Sequence, residues 1–263
     1  MPGRARLALS ALVFGYAFLY LPIALVVIYS FNDSRLVTVW AGFSTRWWRA
    51  LFENEQILHA AWLSLRVALV SATVASLLGL AAGYVLARVP RFFGRTLFGS
   101  LVVAPMVMPE VVMGISMLLL FVGAEQLFGG PDRGFLTITI AHVTFSIAYV
   151  AVVVQARLAD FDRTLEEAAM DLGATRWVTF VTITLPLIAP AVASGWLLAF
   201  TLSLDDLILT QFVAGAQSQT LPMTVFSKVR LGLDPQINAL ATIIVALAAC
   251  ALILSGWLTR RKA

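Results

Sequence analysis

The sequence predicts an all-α polytopic membrane protein of six transmembrane helices with both termini cytoplasmic, and three observations lead there. Of 263 residues, 60% are apolar and only 12% charged; mean hydropathy is +0.92. An ordinary soluble domain carries about 25% charged residues. The uncharged residues fall into runs that supply the roughly 20 helical residues needed to cross about 30 Å of hydrocarbon. Basic residues collect at alternate ends of those runs.

The first run, Leu7–Phe31, follows Arg4 and Arg6. It is too long for a signal-peptide core, and no small-x-small cleavage site follows it, so it reads as the first span. The longest outer connection is Asn32–Trp62, with Trp40, Phe43, Trp47 and Trp48. Such aromatics favour the membrane–water interface, as anchors or as contacts for an external partner. The later spans are Val67–Ala87, Thr96–Pro109 continuing past Glu110 to Ala124, Gly134–Gln155, Trp177–Leu204 and Pro235–Thr259. A further uncharged run, Leu207–Ser227, contains Gly215, Gln217, Ser218, Gln219, Thr220 and Pro222. Freed backbone groups must be satisfied internally in lipid, so this run reads as re-entrant or outer-face.

Arg4, Arg6, Arg88, Arg91, Arg95, Arg157, Arg163, Arg176, Arg260, Arg261 and Lys262 flank the presumed inner ends, eleven of the 18 Lys and Arg. A seventh span would carry Arg260-Arg261-Lys262 outside, against the positive-inside bias. The net charge of +4 then reflects topology and contact with anionic lipid, and no nucleic-acid partner is expected. The single cysteine, Cys250, cannot form an internal disulfide and reads as a small buried filler. His59 and His142 are isolated, so no metal site is expected and both read as structural. Pro105-x3-Pro109-x4-Gly114 echoes Pro186-x3-Pro190-x4-Gly195, a spacing that bends or breaks one helix face.

A short charged segment, the loop at about 157–186, lies between two long apolar runs within what otherwise reads as a single membrane domain over 1–263. Thr164-x-x-Glu167 has capping-box spacing. Leu165–Leu172 offers good helix formers, with Glu166 and Glu167 near the positive end of the helix. Gly173 stands where a left-handed residue stops a helix. Asp160, Asp162, Glu166, Glu167 and Asp171 outnumber three arginines in this stretch. A helix lying on anionic lipid prefers the opposite sign. The segment therefore reads as a short docking helix, with Ala168 and Ala169 flat enough to enter a partner's groove.

Glu167-Ala168-Ala169-x3-Gly173-x9-Ile183-x-Leu185-Pro186 resembles the EAA loop of binding-protein-dependent ABC importer permeases at every signature position. Ser30–Trp48, Ala104–Phe121 and Leu197–Thr242, with Leu202-Ser203-Leu204-Asp205-Asp206, resemble the spermidine/putrescine branch, and within it the second permeases of putrescine importers. The resemblance implies the MetI-like type I importer permease fold in a bacterial inner membrane. It also implies a heterodimer with another permease, a homodimeric cytoplasmic ATPase and a periplasmic polyamine-binding protein. Glu166, Glu167, Ala168, Ala169, Asp171, Gly173, Ile183, Leu185 and Pro186 would then couple the chain to the ATPase. No G-x-x-x-x-G-K-[ST] loop is present to cradle phosphates, so ATP and Mg are expected on the partner. The chain is expected to be a transport subunit and not an enzyme.

An ionisable side chain deep in a bilayer costs about 2.5–3.5 kcal/mol and needs a reason. Glu110 lies about 22 Å along a helix from Arg95, and Asp205 about 28 Å from Pro186, at 1.5 Å per residue. Carboxylates there can replace hydration of a polyammonium ion. Adjacent helical residues diverge by about 100°, so Asp205 and Asp206 cannot both face one pore. The competing readings are that Glu110 pairs with a partner subunit and that Asp205 or Asp206 caps a helix beginning near Leu207. Trp196 and Phe200 offer cation–π faces or pack against neighbours. The function expected is polyamine import, of putrescine or spermidine. The alternatives are import of another small cationic or amine-containing solute, and an ion-coupled secondary carrier working alone.

Overall fold

In the computed structural model, the backbone is described for residues 2–36, 39–130, 132–232 and 234–260, with side chains described within 7–250. The topological charges Arg4, Arg6, Arg260, Arg261 and Lys262 lie outside the described side chains. The elements run α1 (Pro2–Tyr29), α2 (Arg46–Phe52), α3 (Glu55–Arg88), α4 (Arg95–Val107), α5 (Glu110–Phe128), α6 (Phe135–Ala159), α7 (Thr164–Asp171), α8 (Arg176–Thr179), a π-helical turn (Phe180–Thr184), α9 (Leu185–Asp205), α10 (Ile208–Val213), α11 (Leu221–Leu231) and α12 (Gln236–Arg260). Among the described residues, five helical stretches are long and apolar enough to cross a membrane: Leu7–Tyr29, Glu55–Arg88, Glu110–Phe128, Phe135–Ala159 and Arg176–Asp205. Arg95–Val107 and Gln236–Cys250 are shorter apolar helices.

Two boundaries differ from expectation. The second span begins at Glu55, twelve residues before Val67. Ala60, Leu63, Ser64 and Val67 are buried along it, the three-to-four spacing of one helical face. The third span is two helices: Met108 (ψ 138°) and Pro109 (ψ 133°) are extended between them. The residue before a proline is pushed out of the helical region, which sets the break. Pro190, by contrast, lies inside an unbroken α9, and Pro186 sits in its first turn, where the π-helical turn Phe180–Thr184 runs straight into it. The proline echo therefore produces one break and not two. The run Leu207–Ser227 holds only α10 and most of α11, each too short to span.

The chain divides into two compact units, Met1–Leu58 with Thr224–Ala263, and His59–Met223. In the first, α12 packs against α1 and α2, and Asn54 Nδ2 donates to Gln236 Oε1 at 2.9 Å. Asn32 organises the loop after α1, accepting from Ala41 N–H at 2.9 Å and donating to the Val39 carbonyl at 2.7 Å. Phe31 stacks between Phe43 and Trp48. Trp47 is buried while Trp40 and Phe43 stay exposed, and Cys250, expected to be buried, is exposed on α12. It lies in a stretch of α12, residues 244–250, that is exposed throughout.

In the second unit α6 is the central post, packed by α4, α5, α9 and α10. Glycines let α3 close on it: a Cβ at Gly79 would stand 2.6 Å from Val150 Cβ, and one at Gly83 2.7 Å from the Ala151 carbonyl oxygen. This Gly-x3-Gly spacing is the small-residue pattern by which membrane helices approach closely. Ala72, Val150, Val154, Leu158, Ile188 and Ala199 form one buried cluster, and Leu63, Val67, Met113, Ile138, Ala141, Leu209 and Val213 another.

Candidate functional site

The candidate site residues of the His59–Met223 unit lie mainly in two clusters. One is at α7. Asp162 Oδ1 accepts the Thr164 N–H at 3.0 Å, and bonding to Thr164 holds the Asp162 carboxyl below the usual carboxylate range. The expected capping box does not form, because Thr164 is already the first helical residue and Arg163 occupies the N-cap without a side-chain bond. An aspartate two residues ahead satisfies the backbone first. At the other terminus Gly173 N–H donates to Met170 O at 2.9 Å and Ala174 N–H to Ala169 O at 3.0 Å. With Gly173 at φ +90°, this is a Schellman stop. A Cβ on Gly173 would meet nothing within 4 Å, so conformation, and not space, requires glycine there.

The nine coupling residues separate by exposure. Glu167, Ala168, Asp171 and Gly173 are exposed and Ala169 is half-buried. Ile183 and Leu185 are half-buried and Pro186 exposed where the π-helical turn enters α9. Glu166 departs from the group: it is buried and turned into the protein. Its Oε2 lies 2.9 Å from Arg88 Nε, and its Oε1 accepts the Thr184 hydroxyl at 2.7 Å. Arg88 Nη1 also donates to the Leu158 carbonyl at 3.0 Å, and its guanidinium stands 5.4 Å from the Phe161 ring centre. Arg163 and Arg95 donate to the Ala87 and Leu86 carbonyls, each at 2.9 Å. Arginines that read as topological signals thus also cap the last turns of α3 and α6, where cations are favoured.

In the other cluster, α9 stops at Asp205, Asp206 turns extended (ψ 129°), and α10 begins. Asp206 caps α10, accepting from the Thr210 N–H at 2.8 Å and the Leu209 N–H at 3.3 Å. Its Oδ2 also accepts the Thr210 hydroxyl at 2.5 Å and lies 3.3 Å from His142 Nε2. His142 Nδ1 is 2.6 Å from Ser203 Oγ, which is 2.9 Å from Ser71 Oγ. With its proton on Nε2, the ring donates toward Thr210 and Asp206 and accepts from Ser203. Four helices are joined in this buried chain.

Asp205 and Glu110 are exposed, one ending α9 and the other beginning α5 after the Met108–Pro109 break. Trp196 and Phe200 stack at 5.4 Å and pack on the α3–α6–α9 cluster, and Trp196 Nε1 donates to Thr73 Oγ1 at 3.1 Å. Arg88, Thr184 and the bonding of His142 were not singled out from sequence as site features. A lone cation or hydroxyl at a helix end carries no local mark of its distant partner.

Comparison with known proteins places these features in context. The family model for the binding-protein-dependent transport system inner membrane component matches residues 75–263. The putrescine transport system permease protein PotI of Escherichia coli K12 is 56% identical over 235 residues, covering 89% of this chain and 84% of the relative. The spermidine/putrescine transport system permease protein PotC of the same strain is 41% identical over 247 residues, covering 94% and 91%. Among solved structures, a bacterial ABC transporter involved in import of the acidic polysaccharide alginate aligns with a TM-score of 0.71 at 15% identity, covering 99% of this chain and 97% of that one. The MetNI methionine ABC transporter, in an inward-facing conformation, aligns with a TM-score of 0.61 at 15% identity over 78% and 94%. The MetI-like importer permease fold is common to them.

Proposed function

Because the chain belongs to the family of binding-protein-dependent transport system inner membrane components, we propose that it is a permease subunit of an ATP-driven polyamine importer, with putrescine as the preferred cargo. In this reading six spans place both termini and α7 in the cytoplasm. The chain pairs with a second permease, receives cargo from a periplasmic polyamine-binding protein, and docks on a homodimeric ATPase that holds ATP and Mg. The observation that carries the coupling is α7 itself. It is an eight-residue helix, sharply stopped at Gly173, that turns Glu167, Ala168 and Asp171 outward. Identity across most of the chain to permeases named for putrescine and spermidine supports the cargo.

Glu110 and Asp205 suit a diamine. Two carboxylates beside two helix breaks can replace water around two ammonium groups, and irregular backbone at membrane depth is tolerated where it lines a cavity. Asp206, engaged by His142 and Thr210, positions this end and leaves Asp205 as the free acid.

Reconstitution with the second permease, the ATPase and the binding protein tests the proposal. Putrescine-loaded binding protein should stimulate ATP hydrolysis and uptake, with spermidine next in a panel of amines. Stimulation by an unrelated amine alone would reassign the cargo. Uptake by this chain without ATPase would support a secondary carrier instead.

A further inference from the structure

Glu166 is the only buried side chain of α7. The large apolar residues of that helix, Leu165 and Met170, are 48% and 41% exposed, and of its two alanines only Ala169 is half-buried, so no fully buried apolar side chain fastens it. Its one buried side-chain attachment is a carboxylate, beside the bond from its N-cap Arg163 to the Ala87 carbonyl. Through Arg88 that carboxylate reaches the end of α3 and the Leu158 carbonyl of α6. Through Thr184 it reaches the π-helical turn that leads into α9.

We infer that Glu166, Arg88 and Thr184 form the joint that transmits movement of α7 to the membrane helices, with Glu166 a positioning residue and not a contact for the ATPase. The inference rests on the reading of α7 as the element pushed by that partner. A lever transmits force only if its attachment fixes distance and direction. Apolar contacts are non-directional, whereas a charge-assisted guanidinium–carboxylate pair fixes both. Arg88 has side-chain exposure of 8% and Glu166 of 12%, so water and salt screen the pair little. Thr184 closes a wide turn of five residues. Such turns recur at functional sites and can shift a helix's register, so displacement of Glu166 acts where α9 can answer it.

The test uses the complete transporter in lipid, with Glu166→Gln, Arg88→Lys and Thr184→Val. Glu166→Gln keeps the size and an acceptor for Thr184 but loses the charge, and Thr184→Val keeps shape while losing one bond. Each variant should co-purify with the ATPase as the wild type does. The ratio of binding-protein-stimulated to unstimulated hydrolysis should fall by about tenfold in Glu166→Gln, within the usual range of coupling between sites, and by less in Thr184→Val. The double variant Glu166→Gln/Arg88→Lys should be no worse than its worse single parent. An unchanged ratio in all three, or loss of ATPase co-purification in Glu166→Gln, would overturn the joint. Glu167→Lys separates this from the underlying reading. If it uncouples while Glu166→Gln is silent, only the joint fails; if both retain full stimulation, the lever reading fails as well.

Discussion

Two pairs of neighbouring acids, Glu166–Glu167 at the α7 end and Asp205–Asp206 at the α10 end, are divided by the fold in the same manner. One member of each pair is drawn inward and bonded, and the other is left exposed. The fastenings differ. Glu166 meets a guanidinium that also gathers the end of α6, whereas Asp206 meets an imidazole and a threonine hydroxyl in a chain running back to Ser71. The α7 end is thus held through a guanidinium and the α10 end through an imidazole and a hydroxyl. The comparison teaches that in each pair one acid holds the helix end in place while its neighbour stays exposed, which in the proposed reading is the one that meets an external partner.

The largest expected effect is at the ion pair. Arg88→Met strands a buried carboxylate, and thermal or denaturant unfolding of the purified protein should show a loss of about 3–5 kcal/mol. His142→Ala leaves Ser203 and Asp206 short of a partner and should cost about 1–3 kcal/mol. The two sites stand about 24 Å apart along α6, so the double variant should show additive losses; strong coupling between them would break the picture of two independent fastenings. A third contrast sharpens it within one pair: Asp206→Asn should lower thermal stability more than Asp205→Asn, while Asp205→Asn should weaken uptake more than assembly.

The smallest effect is at Asp162. Its folded-state pKa lies below the ordinary value, so its contribution to the first turn of α7 is present at neutral pH. That contribution is lost as pH falls through the lowered value. Asp162→Ala should speed amide exchange at Thr164 at neutral pH, while the Schellman stop at Gly173 keeps its protection.

Much of this was legible from residue order. The apolar runs located the long helices and Gly173 its turn; Asp205 and Asp206 part because α9 ends between them, not by helical divergence. Gly79-x3-Gly83 was not singled out from sequence, and its close approach to α6 emerged only from the structure. What could not be read was which acid of a pair faces inward. Arg88 is 78 positions from Glu166, and His142 is 64 from Asp206; only the assembled bundle brings such partners together. The start of α3 was likewise hidden, because its first turns carry Glu55, His59 and Arg66 on a face that charge-free counting excludes. Thr164 was misread because the capping spacing ignored a competing aspartate two residues earlier.

The most direct measurement of the account is side-specific labelling of α7. In a Cys250→Ser background, Ala168→Cys should react with a membrane-impermeant maleimide in inverted vesicles stripped of the ATPase and be shielded when the ATPase is restored. Reaction in intact, right-side-out cells, with no shielding by the ATPase, would contradict it.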